Sequence, residues 1–218
     1  MFKGVLFDLD GVIADTSTLH FEAWKKLVYT YFSVTLPDSI EEKTKGVSRT
    51  DSLKVILESL DVVVSDSMIQ QLLQEKNEWY CNSLNTLSSS NILPGIAPFI
   101  SELKEQKMKL ALASASLNGP LILEKLALST AFDAVVDPSK VAHGKPAPDI
   151  FIAAAEALGL TPTACVGIED SVAGVSAINS SGAFSIAVGK NPQLQSADLI
   201  LPSTAELRLD TLRIAYSN

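Results

Sequence analysis

After Pro94-Gly95 the chain alternates short apolar runs with amphipathic segments, and this alternation restricts its fold more than any other feature. Residues 110–113, 134–136, 165–168, 184–188 and 199–201 read as strands, and residues 121–127, 149–158 and 172–181 read as helices between them. Strands that alternate with helices pair in parallel and are covered on both faces. One more strand candidate, 4–7, stands far upstream. The stretch from about Thr16 to Leu87 reads as helical throughout. His20, Phe21, Trp24, Leu27 and Val28 recur at helical spacing, then Leu53, Ile56, Leu57 and Leu60, then Ile69, Leu72, Leu73 and Lys76. The expected architecture is therefore α/β, a doubly wound parallel-sheet core with an inserted all-helical cap domain. The core takes residues 1–14 and 91–218 and the cap residues 15–90. Asp15 and Thr16 form the outgoing hinge, and the serine-rich run 88–91 the return linker.

The apolar run before Asp8 ends in two carboxylates, Asp8 and Asp10, at a turn signalled by Gly11. In extended backbone, residues i and i+2 face the same way. Like charges so close repel, so they call for a cation, a proton or a reaction; taken alone, two solvated turn acids would serve as well. Three more polar clusters fall at strand or helix ends: Ser114-Ala115-Ser116, Lys145 within Gly144-Lys145-Pro146, and Glu169-Asp170. In a parallel sheet the strand C-termini lie along one edge, so these groups are expected to converge in one crevice.

The chain's 218 residues, 47% of them hydrophobic, suit a large core. No apolar run approaches the roughly 18 residues of a membrane span, and Asp8 and Asp10 interrupt the only apolar N-terminal segment, so neither a membrane anchor nor a signal peptide is expected. A net charge of −8 argues against nucleic acid as a partner. A small phosphorylated substrate needs only local cations. Cys81 and Cys165 lack metal-ligand spacing and read as buried free thiols, which suits a reducing cytoplasm. No heptad repeat or long apolar edge suggests obligate assembly, and a monomer is expected.

In motif identity, order and spacing these clusters resemble the haloacid dehalogenase superfamily of phosphotransferases, whose core is Rossmann-like. Within it the chain is similar to the β-phosphoglucomutase family. The likeness runs through Phe7-Asp8-Leu9-Asp10-Gly11-Val12-Ile13, Asp15-Thr16, His20-Phe21-x-Ala23-Trp24 and Lys45-Gly46-Val47-Ser48-Arg49-x-Asp51-Ser52-Leu53. It continues in Ala111-Leu112-Ala113-Ser114-Ala115-Ser116-x-Asn118-Gly119-Pro120, Lys145-Pro146-Ala147-Pro148-Asp149-Ile150-Phe151 and Glu169-Asp170-Ser171. The resemblance implies interconversion of β-D-glucose 1-phosphate and glucose 6-phosphate through an aspartyl-phosphate enzyme and β-glucose 1,6-bisphosphate. A Mg2+-dependent sugar-phosphate phosphatase with the same nucleophile is the alternative.

By the same resemblance, Asp8 is the nucleophile and Asp10 the general acid/base. Ser114 and Lys145 hold the phosphoryl oxygens. Mg2+ is held by Asp8, Glu169, Asp170 and the main-chain carbonyl of Asp10. The cap motif brings Gly46, Val47, Ser48, Arg49 and Ser52 to the substrate, with Arg49 on the distal phosphate. Ser116 and Asn118 add neutral hydrogen bonds from the core. His20 positions Asp10 or its neighbours, against a plain interfacial histidine; Lys76 is either a substrate-site lysine or a solvated one; Trp24 is cap core or pocket wall. Leu117, also at the substrate site, departs from the polar and usually basic residue expected after Ser116, which leaves the identity of the sugar phosphate open. A run of three valines, Val62 to Val64, departs as well and bears only on cap packing.

Overall fold

Gly4–Phe7 forms the first strand, β1, and is buried along its whole length. The structure, a computed structural model, describes residues 1–217. The other strands are Lys109–Leu112 (β2), Ala134–Val135 (β3), Cys165–Glu169 (β4), Phe184–Val188 (β5) and Leu199–Leu201 (β6). They make one sheet in the order β3-β2-β1-β4-β5-β6, with every neighbouring pair parallel. Strands buried on both faces are apolar at successive positions rather than at alternate ones. Accordingly, Val5 and Phe7 pack with Phe99, Leu103, Leu123 and Phe132 on one face, while Leu6 packs with Phe151, Ala154 and Ile178 on the other.

Between β1 and β2 the chain leaves the sheet and folds into helices Ser17–Phe32 (α1), Glu41–Thr44 (α2), Arg49–Ser59 (α3) and Asp66–Ser83 (α4). These enclose a core of their own around Trp24, Leu27, Val28, Ile56 and Leu72. It returns to the sheet beside its point of departure. Ala14 bridges Ile92 in antiparallel fashion, and the Leu93 amide donates to the Ile13 carbonyl at 2.9 Å. The helical insertion thus hangs from two adjacent strands of backbone.

The core helices are Ile96–Glu105 (α5), Gly119–Lys125 (α6), Asp149–Ala157 (α7), Val172–Ser181 (α8) and Leu209–Ser217 (α9). The helix expected at 121–127 begins earlier because Pro120 fits the first turn of a helix, where no amide partner is needed. Helix α5 was not among the sequence expectations. Its buried Ile96, Phe99, Ile100 and Leu103 nevertheless recur at i, i+3, i+4 and i+7. Among the described residues no helix is long and apolar enough to cross a membrane.

Candidate active site

The strand order reverses direction between β1 and β4, and an open α/β sheet offers its ligand crevice at such a switch point. Phe7 is in register with both Leu112 and Ile168, so Asp8, Ala113 and Glu169 come level at the carboxyl edge. Lys145, from the segment before α7, reaches into this edge. Its Nζ donates to Asp8 Oδ1 at 2.6 Å and to Glu169 Oε1 at 2.7 Å, and all three side chains are buried. The other oxygen of Glu169 accepts from the amides of Asp170 and Ser171, both at 2.8 Å, and from Ser171 Oγ at 2.9 Å. Asp170, by contrast, makes no carboxylate hydrogen bond or ion pair among the described residues. Gly11 makes room for it: its φ is +85°, and a Cβ there would come within 2.2 Å of Asp170 Oδ2.

Three carboxylates therefore face one lysine. Oxygens of Asp8, Glu169 and Asp170 lie within 4.8 Å of one another. Burial pushes the Asp8 carboxyl up to about 8; Lys145 opposes the rise, and the charges of Glu169 and Asp10 add to it. Burial, then Glu169 and Asp8, hold Asp170 well above the usual carboxylate range. Lys145 stays above its ordinary value: burial alone would lower it, but Asp8 and Glu169 outweigh that. An excess of buried negative charge on hard oxygen donors fits a divalent cation such as Mg2+, with Asp8 and Asp170 offering uncommitted oxygens.

Asp10 sits one step further out, at the join with the helical insertion. Thr16 Oγ1 donates to its Oδ1, His20 Nε2 lies 3.6 Å from the same oxygen and Tyr80 Oη 3.5 Å. Burial raises the Asp10 carboxyl, against the Thr16 hydrogen bond and the charge of Lys76. His20 stacks on Tyr80 with ring centroids 3.7 Å apart, and its Nδ1 is 2.5 Å from Lys76 Nζ. Burial and the nearby cations Lys76 and Arg49 hold His20 well below its usual value, so the ring is neutral.

Lys76 is only 1% exposed, which removes the solvated alternative. Its ammonium lies 4.8 Å from the ring centroids of both Trp24 and Tyr80. Burial, then Arg49, bring it down to about 7, with Asp10 opposing. Sequence reasoning missed Tyr80; its place one turn after Lys76 on the same face of α4 was the available signal.

A cavity of about 230 Å3 lies between insertion and core. Asp8, Asp10, His20, Trp24, Gly46, Val47, Ser48, Arg49, Ser52, Lys76, Ser116 and Leu117 line it, together with Phe21, Leu73 and Ser139, which sequence reasoning did not assign to it. Trp24 is both wall and core, being buried among the helices of the insertion. Ser48 caps α3, its Oγ accepting from the Asp51 amide at 3.1 Å, and Ser52 Oγ reaches the Thr44 carbonyl at 3.3 Å. Both thus shape the loop that presents Gly46 and Val47. Arg49, the first residue of α3, forms no hydrogen bond or salt bridge among the described residues. Leu117 is 56% exposed. Ser114 is buried next to the lining residues Ala115 and Ser116, and its Oγ accepts from the Ser116 amide at 3.1 Å. Asn118 is not on the cavity wall, and its side-chain amide turns to α4.

A family model described as haloacid dehalogenase-like hydrolase matches residues 2–182. The chain is 41% identical over 212 residues to the β-phosphoglucomutase of Bacillus subtilis, covering 96% of this chain and 93% of that one. It is 30% identical over 182 residues to a phosphorylated carbohydrates phosphatase of Thermotoga maritima, covering 83% and 82%. Among solved structures, a β-phosphoglucomutase from Clostridium difficile superposes with a TM-score of 0.96 at 36% identity, covering 100% of this chain and 98% of that one. The sheet order, the carboxylate cluster at its switch point and these matches together place the chain in the haloacid dehalogenase-like family, on its β-phosphoglucomutase branch.

Proposed function

We propose that the chain is a β-phosphoglucomutase, a phosphosugar mutase that interconverts β-D-glucose 1-phosphate and glucose 6-phosphate through β-glucose 1,6-bisphosphate. One observation carries the reading beyond the family. The cavity that holds Asp8 on the core side holds, on the side of the insertion, the Arg49 guanidinium, which has no partner among the described residues. A substrate with a phosphate at each end would meet a reaction centre at one end and a bidentate grip at the other.

Lys145 holds Asp8 through Oδ1, which leaves Oδ2 to attack phosphorus. As that bond forms, the bond from phosphorus to the sugar oxygen breaks, and Asp10 hands its proton to the departing oxygen. In the reverse transfer a sugar hydroxyl gives its proton to Asp10 while its oxygen takes the phosphoryl group from Asp8. Thr16, His20 and Tyr80 fix Asp10 for both. Mg2+, held by Asp8, Asp170, the Asp10 carbonyl and Glu169, would neutralise phosphoryl charge. Glu169 also orients the loop that carries Asp170. The helical insertion, residues 15–90, moves as a lid that hinges at Asp15-Thr16 and 88–91 and keeps water from the phosphoaspartate. The enzyme works as a monomer in the reducing cytoplasm, consistent with its two free cysteines.

Phosphorus NMR with β-glucose 1-phosphate, Mg2+ and a trace of the bisphosphate tests the reaction. Glucose 6-phosphate as product supports the mutase; inorganic phosphate alone replaces it with the phosphatase reading.

Arg49→Lys is expected to lower kcat/KM for β-glucose 1-phosphate by roughly tenfold or more, because an ammonium lacks the rigid planar fork with which a guanidinium grips a phosphate at two points. Cleavage of a small artificial phosphate monoester should change little. Equal losses on both substrates would remove Arg49 from the distal phosphate.

Lys76 gives a pH signature. With its ammonium brought down to about 7 in the empty cavity, it is mostly neutral at pH 8.5. A dianionic phosphate placed nearby favours the charged form, so binding takes up a proton and weakens as pH rises above 7. Calorimetry with glucose 6-phosphate at pH 8.5, in buffers of differing ionisation enthalpy, should show uptake approaching one proton. Lys76→Met should reduce it, leaving what the raised Asp8 carboxyl takes up in the same cavity, and uptake unchanged in that variant would count against the assignment.

A further inference from the structure

Outside the cavity and the two hinge connections, the insertion meets the core through side-chain hydrogen bonds at two places among the described residues. Asn191 Nδ2 donates to Glu42 Oε2 at 2.8 Å. The second set lies at the start of α6, where Asn118 Nδ2 donates to Asn77 Oδ1 at 3.1 Å. Asn118 Oδ1 lies 3.5 Å from Cys81 Sγ, within range of a thiol donor, and Cys81 Sγ is also 3.7 Å from Asn77 Oδ1. Asn77 and Cys81 stand four residues apart on α4, so one face of that helix offers an acceptor and a donor to the two ends of a single amide. The contact also sits beside the substrate grip, since Cys81 and Tyr80 are near enough to Arg49 to act on its charge.

We infer that Asn77 and Cys81 are positioning residues: they clasp Asn118 and thereby hold the helical insertion closed over the cavity. Three features support this. Asn118 engages the insertion with both ends of its amide, although its neighbours Ser116 and Leu117 face the cavity. The same helix carries Lys76, so the position of the clasp sets how far the buried ammonium stands from the core. The bonds are also of the strength a reversible lid requires. Partly exposed neutral hydrogen bonds are weak, and a thiol is a weak donor, so losing the clasp should raise the open population by about threefold to tenfold. A lid biased by that amount still opens in every turnover.

The test uses the thiol as reporter. Cys81 is partly buried at the join, and Cys165 is fully buried in the core, so labelling of Cys165 reports global unfolding. With a neutral maleimide, Asn77→Ala should label Cys81 about threefold to tenfold faster than wild type, and small-angle scattering should give it a larger radius of gyration. Asn77→Asp keeps the acceptor and should stay near wild type on both measures. Labelling at the wild-type rate with an unchanged radius in Asn77→Ala would overturn the clasp. If Asn77→Ala also exposes Cys165, scattering from Cys81→Ala and Cys81→Ser decides instead. A larger radius for alanine alone supports the clasp, and equal radii reject it. None of these readouts needs turnover, so the clasp and the mutase reading fail separately. Increased phosphate release per sugar phosphate formed in Asn77→Ala is a further consequence that rests on the mutase reading.

Discussion

Replacing Asp8 by Asn is expected to remove turnover, by a factor on the order of 10⁴ or more, while leaving the fold as stable as wild type or more so. The first half follows from chemistry: an amide has no carboxylate oxygen to form an acyl phosphate. The second half follows from charge. Asp8 and Glu169, both buried, share Lys145 with Asp170 close by, and burial pushes the Asp8 carboxyl up to about 8. A carboxyl whose folded value is raised favours the fold below its unfolded value near 3.8, and that benefit is lost as pH rises through the folded value. At pH 7 to 8, without added metal, ionised Asp8 is therefore a burden on the fold, offset in part by its bond to Lys145. In the variant Lys145 keeps Glu169 at 2.7 Å, so no buried charge is orphaned. Thermal unfolding in chelator at pH 8 should show a melting temperature equal to or above wild type. Turnover well above background in protein free of wild-type enzyme would remove Asp8 from the role of nucleophile. A large loss of stability would mean that Asp8 holds the site together rather than reacting in it.

How much of this arrangement could be read in advance depends on how local its causes are. The strands at 4–7, 184–188 and 199–201 fall where their apolar runs end, since a strand buried on both faces declares itself by composition. Asp8, Glu169 and Asp170 were legible because Glu169 ends its strand, Asp8 and Asp170 directly follow theirs, and a parallel sheet aligns strand ends. The insertion was harder. Lys76 lies between Glu75 and Glu78, a pattern of a solvated face, yet packing against His20, Trp24 and Tyr80 buries it. Within one turn of α4 only Tyr80 hints at that, because the other two partners, His20 and Trp24, come from α1. Asn118 shows the same limit. Its motif belongs to the substrate loop, but where its amide turns is decided by Asn77, 41 residues away. Five of the nine residues of helix α9 are apolar, but that Leu209 and Leu212 are the buried ones is decided by the core they pack into.

Lys145→Met should be the most damaging single change to the fold as well as to the reaction. Methionine matches the length of the lysine stem but cancels its charge, so Asp8 and Glu169 each lose the only ion pair that they make among the described residues. Removing one partner of a buried, hydrogen-bonded ion pair costs about 3–5 kcal/mol, because the remaining charge stays buried. For a chain of this size that corresponds to a melting temperature lower by roughly 6–20 °C. The deficit should depend on pH in one direction. Without the lysine, burial and mutual repulsion raise Asp8 and Asp170 further. The gap to wild type should thus be widest near pH 8 and narrow toward pH 5, as the carboxyls take up protons and the repulsion disappears. Phosphoryl transfer should fall together with stability, since no ammonium remains to steady Asp8 or meet the charge on phosphorus. Thermal melts of both proteins between pH 5 and 8 check the first claim, and turnover at a temperature where the variant stays folded checks the second. A gap that stays constant across that range would mean that Lys145 contributes by packing against Phe151, whose ring centroid lies 5.0 Å from its ammonium, rather than by balancing the carboxylates.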